Sequence, residues 1–345
     1  MSENPGWTGP RAWRRRGPLL LGALALAAVA VAALVLAQPA IEEEPADVFV
    51  AEPPPEGFLD GGAGFAVQVR NLAIPYETFA VFALPRDTLQ LEALFVAGEA
   101  ELAADGGVPE RLGPRTWRWV APAKPGLTRL RMTAPDGEIL ALHAFTLTPF
   151  DHTSEALDGY PIGDYPDQPL NGNPVYDEPP GFVRVTPELA DVAVSPHFTL
   201  GQFLAKQTSG WPKYLALDED LLLKLERILY AVNEAGVDAQ TLSVLSGFRT
   251  PAYNAAIGNT TIYSRHLYGD AADVFVDADG DGQMDDVTGD GEVTRADAEW
   301  LAAVVDGLAD QPWYQPLVGG LGVYGPAPHR GPFIHVDTRG EPVRW

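Results

Sequence analysis

The chain has no cysteine, three methionines and six histidines, and its 23 Lys and Arg residues are outnumbered by 47 Asp and Glu. Without thiols there is no thiolate zinc site, no disulfide and no cysteine nucleophile. The compartment stays open, because an exported bacterial protein need not carry a disulfide. A formal net charge of −24 argues against nucleic acid as a partner, since phosphate would be repelled. The same acidity suits a protein that gathers cations.

What is present starts with 345 residues, room for about two domains plus extras, and a hydrophobic content of 46%, enough for a real core. Arg11, Arg14, Arg15 and Arg16 precede an uncharged apolar run from Pro18 to Ala37, about the length that crosses a bilayer. This predicts a cytoplasmic tail at 1–16 and a transmembrane signal anchor at 17–38, with everything beyond it extracytoplasmic, in a bacterial cell envelope. A cleaved signal peptide ending near Ala37-Gln38-Pro39-Ala40 is the rival reading, and it would make the protein secreted.

Residues 39–62 are acidic and proline-rich, a stiff solvated spacer. Between 63 and 150, short alternating runs such as Thr116-Trp117-Arg118-Trp119-Val120 are separated by turn signals, which predicts a small all-β, immunoglobulin-like sandwich. Residues 151–185 show little periodicity and read as a second linker. From 186 to 345 strands and a helix mix without repeated βαβ units, the pattern of an α+β domain. Asp218 caps a helix carrying Leu221, Leu222, Leu225, Ile228, Leu229 and Val232, and Gly236 stops it. Leu242–Leu245, Gly319–Tyr324 and Phe333–Asp337 read as strands.

The chemistry gathers in Ser264-Arg265-His266-Leu267-Tyr268-Gly269-Asp270-Ala271-Ala272-Asp273, which sets an imidazole and a carboxylate seven residues apart. A further histidine follows at His335. Two histidines and one carboxylate make a three-ligand zinc set whose fourth position is free for water, as a hydrolase needs. The stretch fits the pattern S-x-H-x-x-G-x-A-x-D, and Ser246-Gly247-Phe248-Arg249-Thr250-Pro251-Ala252-Tyr253-Asn254 precedes it. Together they resemble the zinc D-alanyl-D-alanine carboxypeptidases, the superfamily that includes VanX-type dipeptidases and Hedgehog-like domains. Gly320–Tyr324, Phe333–Asp337 and the closing Pro342-Val343-Arg344-Trp345 look most like MepK-type murein endopeptidases.

The resemblance implies one catalytic zinc held by His266, Asp273 and His335, with Arg249 stabilising charge on the substrate, and Gly269 and Ala271 allowing close backbone packing. Many relatives place a general base two or three residues before the second histidine, where this chain has Phe333 and Pro332. Asp337 and His329 are the local candidates for that role, with support of a metal ligand as the other reading of Asp337 and a surface loop as the other reading of His329. The expected activity is murein endopeptidase, or D,D-carboxypeptidase of the same family, with peptidoglycan as the partner and the N-terminal helix in the membrane. The missing base leaves open a non-catalytic, zinc-containing wall-binding protein.

An acidic insertion spans 277–297. From Asp286, oxygen-bearing residues fall at positions 1, 3, 5, 9 and 12 (Asp286, Thr288, Asp290, Thr294 and Asp297), with Gly291 at 6 and Glu292 at 7, the spacing of a calcium loop. It resembles a dockerin-type half EF-hand. An earlier run supplies Asp277, Asp279, Asp281 and Asp285 but ends on Thr288, so one or two structural calcium ions are expected. A calcium-dependent adhesion module is the third class that this loop and the β-domain admit.

Overall fold

The computed structural model describes residues 61–151 and 153–345. The expected cytoplasmic tail and signal anchor, with nearly all of the first spacer, lie outside the described residues. Among the described residues, no helix is long and apolar enough to cross a membrane.

Nine strands open the described chain: β1 (Gly62–Val69), β2 (Leu72–Tyr76), β3 (Thr78–Ala83), β4 (Thr88–Leu94), β5 (Glu101–Ala104), β6 (Glu110–Arg111), β7 (Thr116–Val120), β8 (Gly126–Thr133) and β9 (Ile139–Thr146). They form a five-stranded sheet in the order β2-β1-β4-β7-β6 and a four-stranded sheet in the order β3-β9-β8-β5. Alternation decides which side chains go inward. In β7 Trp117 and Trp119 are buried while the flanking Arg118 and Val120 face solvent. The Trp119 indole N–H donates to the Gly106 carbonyl at 2.9 Å, which satisfies its one polar atom inside the core.

This β-region packs directly on the C-terminal part of the chain. The Arg70 guanidinium and the Phe82 amide both donate to the Glu219 carboxylate, at 2.9 and 3.0 Å. His143 Nδ1 donates to the Ala193 carbonyl at 2.7 Å.

The segment expected as a second linker is packed as well. β10 (Thr148–Pro149) leads into it, and it holds β11 (Ala156–Leu157), β12 (Tyr160–Pro161) and β13 (Gly181–Val185), with two short 3-10 turns between β12 and β13. The Tyr165 hydroxyl donates to the Leu267 carbonyl at 2.8 Å, and Tyr263 donates to the Gln168 carbonyl at 2.8 Å. The Arg265 guanidinium sits between the rings of Tyr176 and Tyr268, 4.4 and 4.6 Å from their centroids, and donates to the Val175 carbonyl at 3.0 Å. Isolated aromatic anchors and backbone carbonyls hold this stretch. They leave no periodic apolar stripe to read, which is why it resembles a spacer.

The C-terminal part comprises α1 (Pro187–Ala190), β14 (Ala193–Ser195), β15 (Phe198–Thr199), β16 (Lys213–Leu215), α2 (Glu219–Glu234), β17 (Leu242–Ser246), α3 (Pro251–Ala256), β18 (Ala271–Val276), α4 (Arg295–Asp306), β19 (Gly320–Tyr324), β20 (Phe333–Asp337) and β21 (Val343–Arg344). The Asp218 carboxylate caps α2 by accepting from the Asp220 amide at 2.8 Å. Gly236 follows its end at φ +98, a conformation that favours glycine.

The central sheet runs β17-β18-β20-β19-β21. Its back carries Val274, Ile334, Val336 and Leu321, all buried, against which α4 packs. The front differs. Ser246 pairs with Asp273, Asp273 with His335, and His335 with Gly322. Directly opposed residues share a face, so these four make one row across four strands.

Candidate metal centre

The row brings Asp273 and His335 side by side, and the short 3-10 turn Arg265–Leu267 lowers His266 onto them. His266 Nε2 lies 3.2 Å from Asp273 Oδ1 and 3.1 Å from His335 Nδ1, and His335 Nδ1 lies 3.0 Å from the same Asp273 oxygen. All three residues are buried.

The outer ring nitrogens each have a partner able to hold a proton. His266 Nδ1 is 2.7 Å from the Gly247 carbonyl, which can only accept, so that nitrogen carries the proton. His335 Nε2 is 3.0 Å from Asp337 Oδ2, which likewise can only accept and can hold a proton there. With those protons held outward, two imidazole lone pairs and a carboxylate oxygen can face one point. Three acceptors that close repel one another unless a cation stands among them. Zinc bonds of about 2.0–2.2 Å in a tetrahedron set ligand atoms about 3.3 Å apart, close to the separations seen. The donor set of two nitrogens and one oxygen also fits zinc.

Burial and neighbouring charges act differently on the three residues. Burial pushes the His266 pKa below its ordinary value, although Asp273 pulls the other way. For His335, burial is outweighed by hydrogen bonds to Asp273 and Asp337, and the pKa is raised. Burial would raise Asp273, yet His266 and His335 hold it well below the carboxylate range.

Neighbouring groups keep each ligand aimed. Arg249 donates from Nη2 to Asp273 Oδ2 at 2.7 Å and from Nε to Ser246 Oγ at 2.8 Å, which leaves Oδ1 facing the two histidines. The Arg249 amide also donates to the His266 carbonyl at 3.0 Å, tying the two motifs together. Gly269, expected to allow close packing, does so against the backbone of Ala216 and Leu217.

The two base candidates fall in different places. Asp337 is fully buried, and besides His335 it accepts from the Gly320 amide at 2.8 Å and from Arg339 Nε at 2.9 Å. With both oxygens engaged, its contacts suit support of His335 better than taking a proton from water. His329 is exposed in the turn between β19 and β20, which Ala327 and Arg330 close, and it does not border the site.

A cavity of about 430 Å³ opens over the cluster, bordered by Arg249, Tyr263, Tyr324, Phe333, Arg339 and Trp345 among others. Tyr324, Arg339 and Trp345 were not marked as site residues by the sequence. The period-two alternation of Gly320, Gly322 and Tyr324 against Phe333, His335 and Asp337 is the signal that could have found Tyr324. Trp345 lies ten residues past His335 and carried no such signal.

In the insertion, Asp277, Asp279 and Asp285 bring carboxylate oxygens within 4.8 Å of one another. Asp281 is spent on the Gln283 amide at 2.8 Å. In the second loop Asp286 accepts from the Gly289, Asp290 and Gly291 amides and from Thr288 Oγ1. Asp290 accepts from the Glu292 amide at 2.9 Å. Asp297 is buried, accepting from Thr288 and from the Thr294 amide, and it closes the capping box of α4. Its own amides thus already serve the second loop's carboxylates.

No curated protein and no solved structure matches the chain. A family model described as Peptidase M15 matches residues 196–288, the stretch that carries Arg249, His266 and Asp273, and it ends before β20 supplies His335. The match supports a zinc-dependent metallopeptidase of the M15 superfamily, of the general peptidoglycan-related type, in the C-terminal part of this chain.

Proposed function

We propose that this protein is an extracytoplasmic zinc peptidase, tethered by its N-terminal segment to the bacterial cytoplasmic membrane, that hydrolyses peptidoglycan stem peptides or their cross-links. Cleavage of a terminal D-alanine is the close alternative within the same chemistry. The observation that carries the reading is the convergence of two lone pairs and one carboxylate oxygen at a single buried point beside an open cavity. Zinc bound there supplies a Lewis acid and brings the pKa of a bound water toward about 7.

The chain's own groups do the rest. Gly247 and Asp337 hold the two imidazoles in the tautomers that present lone pairs inward. Arg249 keeps Asp273 monodentate and places positive charge on the cavity wall, where a scissile carbonyl gains negative charge. Arg339 borders the same cavity, and its charge is shared with Asp337. The cleft is large enough for a peptide of a few residues.

The deciding experiment incubates the full chain in detergent, with one equivalent of zinc, with muropeptides, beside an Asp273→Ala control. Products identified by mass should come from the wild type alone. A wild type that retains zinc and releases nothing would falsify the catalytic reading and favour a wall-binding role.

A second cation reading concerns calcium in the insertion. Its support is the grouping of Asp277, Asp279 and Asp285, together with Asp277 Oδ1, which is buried without a hydrogen-bond partner. An ion there would order the insertion next to β18, with no part in the chemistry.

A further inference from the structure

Gly322 stands directly across from His335 on the site face of the central sheet. A β-carbon at Gly322 would come within 2.5 Å of Trp345 Nε1 and 2.6 Å of its Cε2. The indole of Trp345 therefore fills the space that a side chain at 322 would occupy. It lies 5.2 Å from the His335 ring, centroid to centroid. Main-chain bonds from the Val323 amide to the Trp345 carbonyl at 3.1 Å, and from the Trp345 amide to Leu321 at 3.4 Å, hold it there.

So placed, the indole N–H donates to the Tyr324 hydroxyl oxygen at 2.6 Å. A phenol that accepts from an indole turns its own O–H elsewhere. Among the described residues, no group accepts that proton. The ring itself has little freedom, since Tyr324 stacks on Phe333 at 4.6 Å with only 9° between the planes. Tyr324, Phe333, His335 and Trp345 all border the cavity. The other phenol on that wall, Tyr263, is already committed to the Gln168 carbonyl.

We propose that Tyr324 is a catalytic residue. Its O–H donates a hydrogen bond to the oxygen on which negative charge builds as water adds to the scissile carbonyl. No proton leaves the phenol; the bond strengthens as the charge grows, which is where a fixed donor accelerates a reaction. Trp345 is a positioning residue that aims the phenol, and Gly322 is the gap that admits the indole. The inference rests on the hydrolytic reading above.

The test uses the full zinc-loaded chain and the variants Tyr324→Phe, Trp345→Phe and Gly322→Ala. Steady-state cleavage of a muropeptide is measured, along with the affinity for a phosphinate pseudodipeptide, whose tetrahedral centre mimics the transition state, and zinc content. Tyr324→Phe should lower kcat about 100- to 1000-fold with KM nearly unchanged, as for loss of one oxyanion donor, and should weaken phosphinate binding by a similar factor while zinc stays bound. Trp345→Phe and Gly322→Ala, which keep the Tyr324 phenol but disturb the indole that aims it, should each lower kcat about tenfold. A Tyr324→Phe variant within threefold of an active wild type in kcat and in phosphinate affinity overturns the proposal. If Tyr324→Phe loses zinc or unfolds, Trp345→Phe decides: full activity overturns the proposal and a zinc-retaining loss of about tenfold supports it. A wild type that cleaves nothing takes down the hydrolytic reading, and this inference with it.

Discussion

Replacing Asp337 by asparagine probes how this site is tuned without touching a ligand. The carboxylate has two oxygens in use. Oδ2 accepts from His335 Nε2 at 3.0 Å, while Oδ1 accepts from the Gly320 amide at 2.8 Å and from the Arg339 amide at 3.1 Å. Asparagine keeps the shape but offers one acceptor and one donor. With its oxygen toward Gly320, its NH2 meets a ring nitrogen that already carries a proton. The imidazole then has to move that proton to Nδ1, the atom that faces Asp273 and His266. With the amide turned round, NH2 meets the Gly320 and Arg339 donors instead. Either arrangement also leaves the Arg339 guanidinium without its counter-charge. Loss of such an outer partner weakens metal binding about 10- to 100-fold, or about 1.4 to 2.7 kcal/mol. Zinc affinity measured by competition with a chromogenic chelator reads this directly, with circular dichroism to show that the fold is kept. An Asp337→Asn protein that binds zinc within twofold of the wild type would refute the tautomer argument.

Three further outcomes are expected. Gly269→Ala should destabilise the fold by about 2 kcal/mol or more in urea unfolding, because φ is +82 and the new carbon would sit 2.5 Å from the Ala216 carbonyl; an unchanged midpoint contradicts it. Lys224 is buried, donates to the Leu317 and Asp337 carbonyls at 2.9 and 2.7 Å, and is pushed by burial down to about 8. Because the unfolded chain holds that proton up to about pH 10.5, the wild type should gain stability relative to Lys224→Met as pH rises from 8 to 10.5, at about 1.4 kcal/mol per pH unit; a flat difference across this window speaks against it. A chelator selective for calcium over zinc should lower the thermal midpoint and speed proteolysis within 277–297, and a protein indifferent to it has no ion there.

The grouping of His266, Asp273 and His335 was legible in the sequence because its spacing is chemical: His266 and Asp273 lie on either side of a tight turn at Gly269, and His335 sits in a strand of alternating residues. Helix α2 was legible for a similar reason, with an acidic cap, a helical apolar stripe and a glycine stop. The role of Asp337 was not, since its two readings differ only by which neighbours use up its oxygens. Arg249 was read as facing substrate, while the fold also gives it the task of holding Asp273. The packing of 151–185 was hidden because Tyr165 and Tyr176 act singly, and single aromatic anchors leave no period to detect. Trp345 was hidden for another reason: its partner is a gap at Gly322, and a missing side chain has no signature of its own.

The clasp around Arg265 bears on where the C-terminal part can be cut free. A shortened version starting at 186 would strip away Val175 and Tyr176, which hold that guanidinium, and Tyr165, which pins the Leu267 carbonyl next to His266. The turn that carries His266 would then keep the Arg265–Asp270 ion pair but lose these contacts. A stable C-terminal fragment is therefore expected to begin upstream of the apparent α+β boundary, because the stretch that looks like packaging is packed against it.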